Sequence, residues 1–560
     1  MKNMKKIIAL LLAVMMIATV FAGYSEEKPV DTQGKPDTTT AGNVSNDDTT
    51  AGTVEEEPVK LQFMHSNAAW TEDSVGGAWE RKLEAACNVE IEWILPPTSA
   101  YEENLQLMMM DDDKPDAVII PEGWLTQASF KTACQDGIFT DLKPLLETGA
   151  YENIMAHTRN ESWAALDCNQ TGNIWGIPRS TMIRMEGWFM RKDYWEALGG
   201  EDFYKEGTTI TTDEFLDILI AMTKDDPDGD GINDTYGFKA AAANSVLDGG
   251  AAKIFHCGAG WIQDETTGEY FNPTYSKTCT WYKDMLLYTK SQYDARVFDP
   301  DVFTLDSTMA EERYTTGAYG VKAEFPGWMK VDDDLEKRKE SNPNAFSEVY
   351  IPEVVGPDGE YWCANFSTGI WWFWAVPADC ERPDKVLEVF DYLLGDEAWM
   401  DAVCAGVRDV SYTYDEATGE YDFTLGEEAK AANPEWTTGN PTKSIVRRAT
   451  GADFFVSRKY SAETRKRLEG YIDIAVENGT VSLDRGYKPE IGNDSVYIEY
   501  DATLAETANK IITGELGIEA WDEWLDGWYA AGGTEYTADM QAYIAEQEAK
   551  GSLSDSIIRN

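Results

Sequence analysis

The chain has 560 residues, with 47 lysines and arginines against 100 aspartates and glutamates, and a formal net charge of −53. A field of that sign excludes nucleic acid as a partner and admits a polyanionic ligand only at a locally basic pocket. Apolar residues make up 43% and tryptophans number 20, ample for packed cores in more than one domain or in a large two-lobed fold.

Lys2, Lys5 and Lys6 precede an apolar run from Ile7 to Phe21 that ends in small residues. That is the pattern of an export signal over residues 1–22, too short to favour a membrane span. Residues 23–58 are mostly Thr, Gly, Asp and Glu with hardly an apolar side chain, which predicts a disordered tether. The eight cysteines (Cys87, Cys134, Cys168, Cys257, Cys279, Cys363, Cys380 and Cys404) form no Cys-x-x-Cys pair, so no zinc ribbon is expected. Export permits disulfides among them, and buried thiols are an equal outcome.

Residues 59–65 alternate like a strand, 77–86 carry a helical pattern and 88–94 read as a second strand. Residues 101–110 read as a helix and 116–120 as a buried strand. Strands alternating with helices predict parallel βαβ units, whose ligands bind beyond the carboxyl ends of the strands. By that geometry Asn67 and Trp70, and Glu122 and Trp124, are candidate ligand contacts. Gly176-Ile177-Pro178 reads as a crossing to a second lobe. Arg179 just beyond it suits a ligand hydroxyl or carboxylate, or a surface ion pair.

A helix over 213–223, with Thr211 or Thr212 near its cap, runs into an acidic loop. Asp226, Asp228, Asp230 and Asp234 alternate there with Gly229 and Gly231. Carboxylates so close repel unless a hard cation joins them, and the spacing matches the first nine positions of an EF-hand loop, with the Ile232 carbonyl as a further ligand. Gly237 stands where the bidentate glutamate belongs, so a truncated structural calcium site is expected; the alternative is a solvated acidic turn. Trp261 is a further candidate ligand contact. Residues 319–323 form a strand ending at Glu324-Phe325-Pro326-Gly327-Trp328, which places Glu324 and Trp328 at the cleft from the second lobe. In Gly369–Pro377, alternation puts one face of Trp371, Trp372 and Trp374 in a core and leaves Trp372 as a candidate contact. An amphipathic helix follows over 382–394.

Several blocks in this order resemble a known family. They are Gly176-Ile177-Pro178, Gly187-Trp188-Phe189-Met190-Arg191-Lys192-Asp193, the loop from Asp225 to Asp234, Arg382-Pro383-Asp384-Lys385, and Trp521 to Gly533. The chain from about 60 to 545 resembles the extracellular solute-binding proteins of ABC sugar importers, in the long branch that includes LplA-type and alginate-oligosaccharide-binding proteins. The resemblance implies an α/β fold of two lobes, periplasmic-binding-protein-like, with a hinge and a ligand cleft. It implies structural Ca2+, a carbohydrate ligand, ABC permease subunits as partners, a monomer, and an exported location. Lobe 1 is expected over 59–176 and 369–435, and lobe 2 over 177–368, with the calcium loop at 226–237. A helical part over 436–560 is assigned mainly to lobe 2. Family members carry a lipidated cysteine after the signal. Tyr24 stands there instead, so the sulfur a lipid anchor requires is missing.

His65, His157 and His256 are scattered, and no zincin, nucleophile-elbow or phosphate-loop motif is present. No catalytic residue is expected. A glycosidase needs only two facing carboxylates, so a secreted glycoside hydrolase or lyase remains the alternative, as does a carbohydrate-binding surface protein without a permease.

Overall fold

Leu61 and Phe63 are buried while Lys60 faces solvent, and this alternation makes the first strand of a computed structural model. It describes residues 57–549 apart from 67–74, 112, 168–171, 180–186, 244, 259, 265, 357, 358, 360–369, 371, 433–439, 449–455 and 478–481. The expected signal, nearly all of the tether, Asn67, Trp70, Trp371, Cys168 and Cys363 lie outside the described residues. The other six cysteines are free thiols.

The strands of two main sheets are β1 (Val59–Met64), β2 (Val89–Ile94), β3 (Ala117–Pro121), β4 (Ile177–Pro178), β5 (Gly187–Arg191), β6 (Tyr236–Phe238), β7 (Tyr319–Glu324), β8 (Glu348–Ile351) and β9 (Trp372–Ala375). The first sheet has the order β2-β1-β3-β9-β4, and the second β8-β5-β7-β6. Strands β1, β2 and β3 are parallel, whereas β9 runs antiparallel to both β3 and β4. The helices that matter below are α1 (Ala78–Cys87), α2 (Tyr101–Met109), α3 (Thr212–Lys224), α4 (Pro383–Leu394), α5 (Ala462–Glu477) and α6 (Thr534–Ala549).

Each sheet has its own core. Residues 117–120 of β3 are wholly buried, as a central strand covered on both faces must be, and pack with Phe63, Phe130, Phe373 and Trp374. Helix α4 closes that core, burying Val386, Leu387, Val389, Phe390, Leu393 and Leu394 at the helical spacing. Trp188, Phe215, Leu219, Met222 and Val321 build the second core, which the tail completes with Trp521, Trp524 and Trp528. Helix α5 covers the other face of the second sheet through Leu468 and Ile472, against Phe189 and Tyr350.

The lobe boundaries shift from those expected. Ile177 and Pro178 pair with Trp374 and Phe373 in the first sheet, so the chain leaves that sheet after residue 178. Ile445 and Val446 also belong to the first core, so the return segment extends past 435. Gly176 is needed for close approach, since a Cβ there would lie 2.5 Å from the Trp374 carbonyl oxygen.

Helix α3 begins with a capping box in which Thr211 Oγ1 accepts from the Glu214 amide and Glu214 returns a bond to the Thr211 amide. It ends at the acidic loop, which leads to a strand, not a second helix. At Gly237 in that strand, an added Cβ would sit 2.2 Å from the Leu219 carbonyl oxygen of α3. A glutamate cannot fit at loop position twelve, because the helix backbone is already there. Gly237→Ala is expected to cost about 2 kcal/mol through overpacking. Urea unfolding measures it, and a midpoint unchanged from the parent protein would show that α3 gives way freely.

Candidate functional site

The carboxyl ends of β1, β3 and β4 lie on one edge of the first sheet, with the start of β9 among them, since Trp372 pairs with Pro121. In the second sheet Gly187 at the start of β5 pairs with Glu324 at the end of β7, and Ile351 at the end of β8 pairs with Trp188. The chain passes from β4 to β5 and from β8 to β9. Both passages therefore join the same two edges, and these edges carry the candidate site.

On the first edge stand His65, Ser66, Glu122, Arg179 and Trp372. Arg179 is fixed by its own amide, which donates to the Trp372 carbonyl at 2.8 Å. Its Nε is buried with no hydrogen-bond partner among the described residues. Burial lowers its pKa to about 10, so the group stays charged at neutral pH. The Trp372 ring is half-buried and meets Tyr101 edge-on at 5.8 Å. Glu122 is half-buried at the head of a short 3-10 turn, whereas Trp124 in the same turn is 5% exposed and packs into the first core. Glu324, half-buried on the second edge, accepts from the Phe325 amide at 3.1 Å. Trp328 is 59% exposed, a large apolar face beside that edge.

Trp261 belongs elsewhere. It is buried with Tyr270, Met540, Tyr543 and Ile544 in a cluster formed with α6, and it lines a cavity of about 160 Å³ with Tyr275, Lys277 and Tyr529. Tyr543 in that cluster feels the charge of Asp167 from the first lobe.

Two residues at the first edge escaped the sequence reading. His65 is 2% exposed, with Nδ1 2.6 Å from the Ser66 carbonyl oxygen and Nε2 2.9 Å from that of Ser444. Burial is the main reason its pKa falls to about 4, with the charge of Arg179 adding to it against the two carbonyls. Arg447 follows in the same segment, its Nε donating to the Lys443 carbonyl at 2.7 Å. Burial, then the charge of Arg179, lowers its pKa to about 9. The segment is tied to the sheet again where Trp374 Nε1 donates to the Ile445 carbonyl at 2.7 Å. The Arg447-Arg448 doublet, rare in so acidic a chain, was the available signal.

The acidic loop lies at the opposite edge of the second sheet. Tyr236, just after Asp234, pairs with Tyr319 at the start of β7, and Glu324 ends that strand. The separation is roughly 17 Å at the usual rise per residue. Oxygens of Asp226, Asp228 and Asp230 lie within 4.8 Å of one another. Asp226, Gly229 and Gly231 take left-handed φ values of 47°, 72° and 85°, turning the chain so tightly that Gly231 N donates to Asp226 Oδ2 at 3.0 Å. Asp226 Oδ1 is buried with no hydrogen-bond donor among the described residues. Slight desolvation, then the contact with the Asp226 carboxylate and the charges of Asp230 and Asp234, raise the pKa of the exposed Asp228. An orphaned buried oxygen among crowded carboxylates fits a hard cation. Asp234 and Ile232 are exposed on the same loop. The neighbouring Arg191-Lys192-Asp193 turn is structural: Arg191 lies over the Phe346 ring at 3.8 Å and donates from Nε to Asp193 Oδ1 at 3.0 Å.

His65 generates a pH dependence. Its folded pKa is depressed, so unfolding takes up a proton between about pH 6.5 and pH 4. The stability it contributes is complete above pH 6.5 and declines as pH falls, by roughly 3 kcal/mol in all. Subtracting the His65→Gln stability profile from the parent profile isolates this term. A flat difference across that window would contradict the neutral buried ring.

No family model matches the chain. It is 23% identical over 471 residues to the polygalacturonan/rhamnogalacturonan-binding protein YtcQ of Bacillus subtilis, covering 82% of this chain and 86% of YtcQ. Lipoprotein LipO of the same organism is 22% identical over 478 residues, covering 81% and 85%. Among solved structures, an extracellular solute-binding protein from Bifidobacterium longum subsp. infantis has a TM-score of 0.58 at 14% identity, covering 87% of this chain and 98% of its own. Alginate-binding protein AlgQ2 without calcium ion has a TM-score of 0.56 at 16% identity, covering 88% and 98%. An EF-hand mutant of the ABC-transporter substrate-binding protein FusA from S. pneumoniae, in complex with fructo-nystose, has a TM-score of 0.56 at 15% identity, covering 88% and 100%. The chain has the α/β fold of the extracellular solute-binding proteins, and along most of its length it is similar to those that serve ABC sugar importers.

Proposed function

We propose that this protein is an exported capture protein that holds a carbohydrate between its two lobes and presents it to an ABC permease without altering it. The observation that carries the reading is the convergence of both interlobe passages on two sheet edges that bear Arg179 and Trp372 on one side and Glu324 and Trp328 on the other. Indole faces suit the C–H face of a sugar ring, and the polar groups around them suit its hydroxyl rim. A ligand touching both edges favours the state in which both are within reach, which is how binding drives closure. The relatives that bind polygalacturonan, alginate or fructo-nystose support the class of ligand. Asn67 and Trp70 belong to the proposal through their position after β1.

Calcium, held by Asp226, Asp228 and Asp230 with Asp234 and the Ile232 carbonyl, would stiffen the link between α3 and β6. Its place on the edge away from Glu324 makes it a structural ion in this reading.

Thermal unfolding of the protein against neutral and acidic oligosaccharides tests the function, because a ligand that binds only the folded state raises the midpoint. One class of sugar is expected to raise it, with chromatography recovering the sugar uncut. Cleavage products would make the protein an enzyme, and no shift with any sugar would remove the reading. Chelation, or Asp228→Asn, is expected to lower the midpoint while leaving sugar affinity within about twofold, since the acidic loop lies roughly 17 Å from the Glu324 edge. An unmoved midpoint would rule out the ion, and a lost affinity would place it at the ligand.

A further inference from the structure

Among 100 carboxylates in the chain, none among the described residues pairs with the guanidinium of Arg179. That is unusual for a half-buried cation, which ordinarily recruits an acid to offset its lost hydration. The position is not accidental slack, because the Arg179 amide is anchored to the Trp372 carbonyl at 2.8 Å and its Nε is enclosed without a partner. A second arginine lies on a segment bonded to the same edge. Arg447 is held by the Lys443 carbonyl, and the segment carrying it is bonded to His65 at the end of β1 and to Trp374 in β9. The two cations are near enough that Arg179 depresses the pKa of Arg447. Burial already keeps His65 neutral at pH 7, and the charge of Arg179 reinforces that state. Like charges are thus gathered and held at the carboxyl edge of the first sheet, inside a protein of net charge −53.

We propose that Arg179 and Arg447 form a carboxylate subsite, so that the captured carbohydrate is a uronate-containing oligosaccharide. The inference rests on the carbohydrate-capture reading above and names its substrate class. A uronate has a flat C–H face with a carboxylate at the ring's margin. The half-exposed ring of Trp372 offers a surface for the face, and Arg179, whose backbone amide is bonded to the carbonyl of that tryptophan, offers guanidinium donors for the carboxylate. The carboxylate relieves the repulsion between the two arginines and offsets the charge that burial leaves uncompensated on Arg179. A neutral sugar brings only hydroxyls, which satisfy donors but do not neutralise charge. The subsite stays selective because the net negative charge of the chain repels any anion that finds no arginine.

The test uses the full chain with calcium in titration calorimetry against trigalacturonate, its methyl ester, sialyllactose and the neutral trisaccharide kestose. Trigalacturonate is expected to bind, and esterification to weaken it by 10- to 100-fold, the span of a charge-assisted hydrogen bond. Arg179→Gln and Arg447→Gln are each expected to weaken trigalacturonate by a similar factor, with Arg179→Lys between them and the parent. Arg179→Gln should leave the ligand-free thermal midpoint unchanged or raise it, since it removes an unpaired buried charge; a merely structural arginine would lower it. If kestose and the ester bind as tightly as trigalacturonate and Arg179→Gln changes none of them, the subsite is overturned while carbohydrate capture stands. If sialyllactose alone binds and depends on Arg179, the uronate class is overturned. If no sugar binds the folded protein, both readings fall together.

Discussion

Everything at the candidate site depends on where β9 enters the first sheet. The chain comes back from the second lobe and pairs β9 between β3 and β4, so this short strand is bonded on both sides. Its Trp374 is wholly buried and donates its indole N–H to Ile445, drawing in the segment that carries Arg447. Its Trp372 accepts from the amide of Arg179, fixing the last residue before the outward passage. One strand therefore clamps the outward passage, the return passage and the later segment at a single edge. Were β9 to sit at the margin of the sheet, these groups would have no common anchor.

A further tie reinforces that arrangement. The hairpin formed by Thr413–Asp415 and Glu420–Asp422 follows the first core, yet Arg465 of α5 donates to its Gly419 carbonyl at 3.2 Å, and Lys459 lies over the Phe423 ring. Helix α5 in turn packs on the second sheet. Such polar and cation–π ties are individually weak, on the order of 1 kcal/mol. Weak ties between two strong cores are what relative motion of lobes requires, because each core stays intact while the contacts between them rearrange.

Much of this architecture was legible in the sequence, for a physical reason. Strands such as 59–64 and 117–121, and helices such as 383–394, announce themselves because burial imposes a period on which residues are apolar. The acidic loop was legible because its carboxylate spacing has so few other uses. Trp124 and Trp261 were harder, since an indole at a strand end serves a core as well as a ligand, and both went to cores. The lobe boundary was misplaced by two residues because Ile177-Pro178 looks like a linker until its partner, nearly 200 residues away in sequence, is known. Arg447 was missed for the same reason. Nothing local says that it returns to the side of Arg179; only the bonds from His65 and Trp374 to its segment do.

The charge of the chain then acquires a second meaning. A net −53 spread over the surface repels an anionic ligand at long range, but that repulsion decays over about 8 Å at physiological ionic strength. Two half-buried guanidinium groups act at contact, where the surrounding dielectric is lower and screening is slight. The long-range term sets how often an anion arrives, and the short-range term sets how long it stays. A protein built this way holds few anions by chance and retains those that reach the arginines with a sugar face to lay on Trp372. Surface acidity and buried basicity are therefore not in conflict: together they make retention depend on the one edge that β9 assembles.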